Sequence, residues 1–199
     1  MTFRGLSTTF LALSLLVSCQ TSKNQDKNII KVSYVHRYGV PITEADWSTL
    51  GKTGEIETSL KSGVRITRSY KDGVLDGKST TTYPHSEVVQ KEETFKDGLL
   101  ASLQKNYTNG TPQEQVDFLK DGKVIKVWYE SGTPKSVETL NSNLLSEAQY
   151  FNDKHEMDAR VINLIGTRKI RDNFGRVITV DNIVNGKMAL QTTFYPNQE

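Results

Sequence analysis

A recurring phrase constrains this chain more than any other feature. An aromatic or apolar residue leads into Lys-Asp-Gly three times, at Tyr70-Lys71-Asp72-Gly73, Phe95-Lys96-Asp97-Gly98 and Leu119-Lys120-Asp121-Gly122. A second set of turn signals lies between them: Tyr83-Pro84-His85-Ser86, Tyr107-Thr108-Asn109-Gly110 and Tyr129-Glu130-Ser131-Gly132. Each set returns at roughly 22 to 25 residues, which marks stacked supersecondary units. Asp-Gly and Asn-Gly supply the positive φ angles of tight hairpins, and the segments between turns alternate with period two. Ile125, Val127 and Tyr129 share one face. Leu99, Ala101, Leu103 and Tyr107 share another, interrupted by Lys105. The unit reads strand, turn, strand, turn. The expected fold class is mainly β, an elongated antiparallel β-meander of hairpin repeats over 55–199. The aromatic at each strand end is expected to pack over a neighbouring turn glycine.

Composition fits a thin architecture. Apolar residues make up 36% and mean hydropathy is −0.50. A single-layer or elongated repeat buries less area per residue than a two-layer domain and tolerates such a balance. Formal net charge is +2, with basic and acidic residues alternating. No basic stripe with interleaved aromatics is present, so nucleic acid is not an expected partner.

The repeat resembles the variant MORN repeat, whose units read Tyr-x-x-Gly-x-x-x-Gly-x-x-x-x-x-Tyr. The closest unit runs from Tyr70-Lys71-Asp72-Gly73-Val74-Leu75-Asp76-Gly77 to Tyr83. Phe95-to-Tyr107 and Tyr129-to-Tyr150 lack the second glycine. Asn141-Ser142-Asn143, Phe174-Gly175, Asn185-Gly186 and Tyr195-Pro196-Asn197 look like weakened later turns. The resemblance implies a long, curled antiparallel sheet whose end units need capping. It also implies two functional associations, with membranes and with the antitoxin label.

Ahead of the repeats, 30–54 breaks the pattern. Val32, Tyr34 and Val35 suggest a first strand. Thr43-Glu44-Ala45-Asp46 has the form of a capped helix start. A short helix over 43–50, with Trp47 and Leu50 as its buried stripe, is expected to cover the first sheet edge and block edge-to-edge pairing.

The first 18 residues read as targeting. A single Arg4 precedes an apolar run from Phe10 to Val17, too short to span a bilayer as a mature helix. Leu16-Val17-Ser18-Cys19 then resembles the lipobox of bacterial lipoproteins. In that family the thiol takes a diacylglycerol, cleavage falls between Ser18 and Cys19, and the new amine takes an acyl chain such as palmitate. The only cysteine of the chain excludes an intramolecular disulfide and suits this use. Gln20, where Asp commonly retains a lipoprotein at the inner membrane, favours the outer membrane of a Gram-negative cell. Residues 19–29 are then the lipidated cysteine and a tether. Its polar stretch Thr21–Asn28 reaches about 25 Å at full extension.

Catalytic chemistry finds little support. His36, His85 and His155 are far apart and lack metal-ligand spacing. His85 and Ser86 are adjacent in a turn, without a nucleophile elbow. Glu92 and Glu93 are expected on opposite faces of a strand, and Glu44 and Asp46 read as helix-start acids. No glycine opens a helix as a phosphate loop would. No cofactor, metal or enzymatic activity is expected beyond the covalent acyl groups on Cys19. The expected protein is an envelope lipoprotein, lipid-anchored to a membrane, whose repeats bind a protein partner or scaffold an assembly. The alternatives are lipid-surface binding through Lys71, Lys96, Lys120 and Arg68, or an immunity-type role carried by the antitoxin label.

Overall fold

A computed structural model describes residues 27–195. Leu16, Val17, Ser18, Cys19 and Gln20 lie outside the described residues, as do Pro196 and Asn197 of the last expected turn. The described chain forms β1 (Ile29–His36), β2 (Pro41–Ile42), α1 (Glu44–Thr49), β3 (Gly54–Leu60), β4 (Arg65–Lys71) and β5 (Val74–Thr82). There follow β6 (Val89–Lys96), β7 (Leu99–Asn106), β8 (Pro112–Leu119), β9 (Gly122–Trp128) and β10 (Pro134–Asn141). The last strands are β11 (Leu144–Phe151), β12 (Met157–Ile162), β13 (Ile165–Arg171), β14 (Val177–Val184) and β15 (Lys187–Thr193). All fifteen strands belong to one sheet, ordered from β15 down to β3 and then β1 and β2. Every neighbouring pair is antiparallel. The fold is the expected meander, and β1 joins it without a break.

The two turn series lie on opposite long edges. One is the hairpin edge, where Asp72-Gly73, Asp97-Gly98, Ser142-Asn143, Asn163-Leu164 and Asn185-Gly186 each place two consecutive residues at positive φ. That is the type I′ geometry, whose twist matches the strands it joins. The third Lys-Asp-Gly departs from this pattern. Its turn residues are Lys120 and Asp121, and Gly122 already lies in β9 opposite Leu119. There a Cβ would stand 1.9 Å from the Leu140 carbonyl oxygen. The glycine serves close backbone approach rather than a positive φ. A register shift follows the turns at 72–73, 97–98, 142–143 and 185–186, and none follows the turn at 120–121.

The other is the bulged-turn edge. Five-residue loops such as 107–111 close with Tyr107 N–H donating to the Thr111 carbonyl (2.8 Å) and Gly110 N–H to the Tyr107 carbonyl (2.9 Å). The fourth residue takes positive φ and is Gly63, Gly110, Gly132 or Gly175. In 83–88 and 152–156 the positive-φ residue is His85 or His155, histidine being one of the side chains enriched there.

Cross-strand partners share a face, so the registers define two surfaces. The inner face carries Tyr34, Ile56, Leu103, Val116, Ile125, Ala148, Val161 and Ile183 along one row. Its densest part is the cluster of Leu145, Ala148, Tyr150, Val161 and Ile183. Here the sheet curls. Cα atoms of β11 and β13 come within 8 Å of each other, whereas a flat sheet holds alternate strands about 9.5 Å apart. The register shift in β7 alters one expected face: Leu100 stands opposite Phe95, and Leu99 is 75% exposed.

Helix α1 has the expected start. Thr43 caps it, Asp46 N–H donating to Thr43 Oγ1 (3.1 Å), and the Asp46 carboxylate accepts from the Thr43 N–H in return. Trp47 is buried between Tyr34, ring centroids 5.7 Å apart, and Tyr70 at 6.0 Å. Two details differ from expectation. Leu50 is the C-cap and is exposed, because a helix of under two turns presents only one residue squarely to the sheet. The helix also lies over a face of the sheet, through Tyr34 and Tyr70, rather than along its edge. The edge of β1 is met only by the two residues of β2, opposite Tyr34 and Val35.

Candidate functional site: the bulged-turn edge and the sheet ends

The chain enters the sheet on the bulged-turn edge. The Asn28 carbonyl accepts from Lys61 N–H (2.8 Å), and Ile29 pairs with Leu60. Cys19 is eight residues before Lys27, a reach of about 28 Å at full extension. An anchor on Cys19 would join the sheet at this edge.

A ladder of tyrosine hydroxyls organises the same edge. Tyr83 Oη donates to the Asn106 carbonyl (2.7 Å), Tyr107 Oη to that of Trp128 (3.0 Å) and Tyr129 Oη to that of Phe151 (3.0 Å). Each acceptor immediately precedes the next turn, so every tyrosine clips its turn to the following one. Burial raises the Tyr107 and Tyr129 phenol pKa values above the ordinary range; Glu130 adds to this at Tyr107, while Arg171 opposes it at Tyr129. The expectation that strand-end aromatics cover turn glycines does not describe these rings. The side chains over the glycines come from neighbouring turns: His85 over Gly63, Val74 over Gly98 and Leu164 over Gly186. The tyrosine spacing was legible in the sequence, but the phenol oxygen's acceptor was not.

A second constellation is buried on the inner face. Glu138 Oε1 accepts from Tyr150 Oη (2.8 Å) and from Arg168 Nε (3.0 Å). Asp181, almost wholly buried, accepts from Gln191 Nε2 (2.9 Å) and lies 3.9 Å from Arg168 Nη1. Burial pushes the Tyr150 phenol far above its ordinary range, and the Glu138 carboxylate adds to the shift. Arg168 belongs to β13 and Glu138 to β10, so this bridge spans the curl of the sheet. Each carboxylate is held by partners, and the cluster is a clamp. Sequence reading missed it because Arg168 and Asp181 lie 30 and 43 residues beyond Glu138.

The residues singled out in the sequence do not converge. His36 ends β1 with its ring tilted against Tyr38, His85 covers Gly63 from its own turn, and His155 stacks on Phe151 at 5.6 Å. Ser86 Oγ accepts from the Val88 N–H (3.0 Å), closing its own loop. Glu92 and Glu93 do face opposite sides: Glu92 pairs with Thr80 and Gln104, Glu93 with Ser79 and Leu103. Each meets a lysine, Lys78 at 2.8 Å and Lys91 at 3.0 Å. Asp46 caps α1. Lys71, Lys96 and Lys120 line the hairpin edge beside Asp72, Asp97 and Asp121. They are one strand length, about 25 Å, from the edge where the chain enters. Arg68 lies mid-strand on the inner face, opposite Ile56 and Ser79. Among the described residues no three His, Cys, Asp or Glu side chains are placed to hold a metal ion. A shallow hollow of about 320 Å³ opens between β10, β11 and β12, lined by Thr139, Glu147, Gln149 and Arg160 among others. No described helix is long and apolar enough to cross a membrane.

The sequence matches no protein-family model and no curated protein. Among solved structures, the chain is similar to a single-residue mutant of S. aureus TarM in complex with fondaparinux, α-GlcNAc-glycerol and UDP. The identity is 16%, the match covers 52% of this chain and 21% of that one, and the TM-score is 0.29. The chain thus spans about a fifth of that protein's length, a likeness too slight to equate the two folds.

Proposed function

We propose that this protein is a lipid-anchored envelope lipoprotein whose MORN-like β-sheet is a non-catalytic module for binding protein or scaffolding an assembly. The observation that carries the reading is the edge at which the chain enters the sheet. The segment bearing the Leu16-Val17-Ser18-Cys19 motif leads directly onto one long edge of a continuous sheet, and that sheet ends in open strands. Histidines engaged at three separate places, and the Glu92, Glu93 and Glu138 carboxylates already paired, favour binding over turnover. The lysines offered for anionic lipid stand on the far edge, which favours protein contact over electrostatic membrane contact.

Cross-linking in intact cells, followed by affinity capture of the wild-type protein and of Cys19→Ala, tests this. The wild type is expected in the membrane fraction with a protein in near-equal amount, and Cys19→Ala is expected to leave that fraction. Recovery of lipid alone would contradict the protein-binding role. Turnover of a substrate, lost on substituting one acid or histidine, would contradict the non-catalytic reading.

A further inference from the structure

The two ends of the sheet are its least protected strands. β15 is exposed along all seven residues, with Met188 and Leu190 projecting into solvent. β1 begins with four exposed residues, Ile29 to Val32, before its outer edge meets β2. Open strand edges pair with other strands unless they are blunted. β2 with Pro41 blunts only the upper part of β1, and among the described residues nothing lies along β15.

Strand direction then selects the partner. β1 runs from the bulged-turn edge to the hairpin edge, and β15 runs the opposite way. Two copies side by side, with their bulged-turn edges aligned, therefore present β15 of one antiparallel to β1 of the next. Both tethers then leave on the same side. Pairing β15 with β15 of a second copy about a two-fold axis would send the tethers to opposite edges. Charge is compatible with the first arrangement: the only charged residue of β15, Lys187, lies at the hairpin end, and the only one in 29–33, Lys31, lies at the other. No like charges are opposed.

We propose that copies of this protein join head to tail, β15 of one pairing with Ile29–Ser33 of the next, so that anchored molecules form a continuous sheet in one row. The contact is heterologous and can repeat. The pleat sets the register. Gln191 and Val32 both lie on the inner face, through Asp181 and Thr58, so the register can change only by two residues. Because β2 already holds Tyr34 and Val35, the register that fits sets Leu190 against Lys31 on the outer face and ends β15 at Ser33. Five residues of pairing make a small interface, and confinement to one membrane raises the effective concentration that it needs. The common direction of the tethers rests on the lipid-anchor reading of Cys19, while the strand pairing does not.

The test is site-specific photo-cross-linking of the full-length protein in cells, with a photoreactive residue at Thr192 and, as control, at Thr67 on the outer face of β4, two strands in from β1. Two tagged forms of different size are co-expressed. The expected result is a ladder of adducts from position 192, mapping by mass spectrometry to 29–33 of the other tagged form, with no ladder from position 67. Adducts within 187–193 of the second copy, adducts to another protein, equal yield from both positions, or no adduct would each overturn the proposal. In Cys19→Ala the ladder is expected to weaken and to return at high protein concentration. A ladder that persists in wild-type protein found to carry no lipid would keep the pairing and remove the anchor reading alone.

Discussion

At the scale of single residues, glycine holds this sheet together in two physically different ways, and substitution separates them. Gly132 sits at φ +87 with open space where a Cβ would go, so Gly132→Ala is strained only by its left-handed backbone, about 1–2 kcal/mol. Gly122 has no such φ, but its Cβ would strike the backbone of β10. Gly122→Ala is expected to destabilise by at least as much, about 1–3 kcal/mol, because two strands must shift. Urea unfolding of both variants checks this, and an unchanged midpoint for Gly122→Ala would remove the close-approach account. Tyr150 makes a prediction about pH. Its folded pKa is raised above the ordinary value of 10.0, so the unfolded chain loses this proton first as pH rises. The stabilisation is therefore complete below about pH 10 and is lost progressively above it. Alkaline unfolding followed by circular dichroism, alongside phenolate absorbance, is expected to show folded protein losing stability there. In Tyr150→Phe that slope is expected to be shallower.

At the scale of elements, the turns were legible and their linkages were not. The Lys-Asp-Gly and tyrosine-led phrases placed both turn series correctly because turn chemistry is local: a few residues and their φ preferences decide it. The start of α1 was legible for the same reason, in Thr43 and Asp46. What escaped was anything decided by a neighbouring strand. The bulges in β5, β7, β11 and β15, of which the one in β7 turns Leu100 rather than Leu99 inward, depend on pairing partners a few residues away across a hairpin. The fate of Leu50 depended on the angle at which a short helix meets the sheet. The candidate site was less legible still. Cys19 and its motif are visible in sequence, whereas the edge at which the chain enters the sheet follows only from Ile29 pairing with Leu60. The tyrosine ladder supplies a test at this scale. Tyr107→Phe removes one hydroxyl and leaves the Trp128 carbonyl without its side-chain donor, at a cost of about 0.5–1.5 kcal/mol. Tyr83→Phe and Tyr129→Phe are expected to behave alike, and their combination to be more than additive because stacked turns support one another. Thermal melts of the three single variants and the triple variant measure this, and strict additivity would contradict coupling along the edge.

At the scale of the molecule, the chain resolves the weakness of a thin fold by length and curl rather than by a second layer. Most of its burial is partial, and the dense cluster around Tyr150 and Val161 occurs where the sheet bends on itself. Such a sheet has two long turn edges and two open ends, each with a different use. The chain enters at the bulged-turn edge, the hairpin edge carries the alternating lysines and aspartates, and the end strands leave backbone groups open. Anchoring is the proposal on which the others are arranged, because it decides which edge faces the membrane and which surfaces remain free. The most direct measurement is the intact mass of the mature protein's N-terminal peptide after expression of the full chain in a bacterial cell. The expected peptide begins at Cys19 and is heavier than its sequence by a diacylglycerol and an acyl chain, with residues 1–18 gone. A mature chain that keeps its first 18 residues, or that begins elsewhere with an unmodified Cys19, would contradict the anchor.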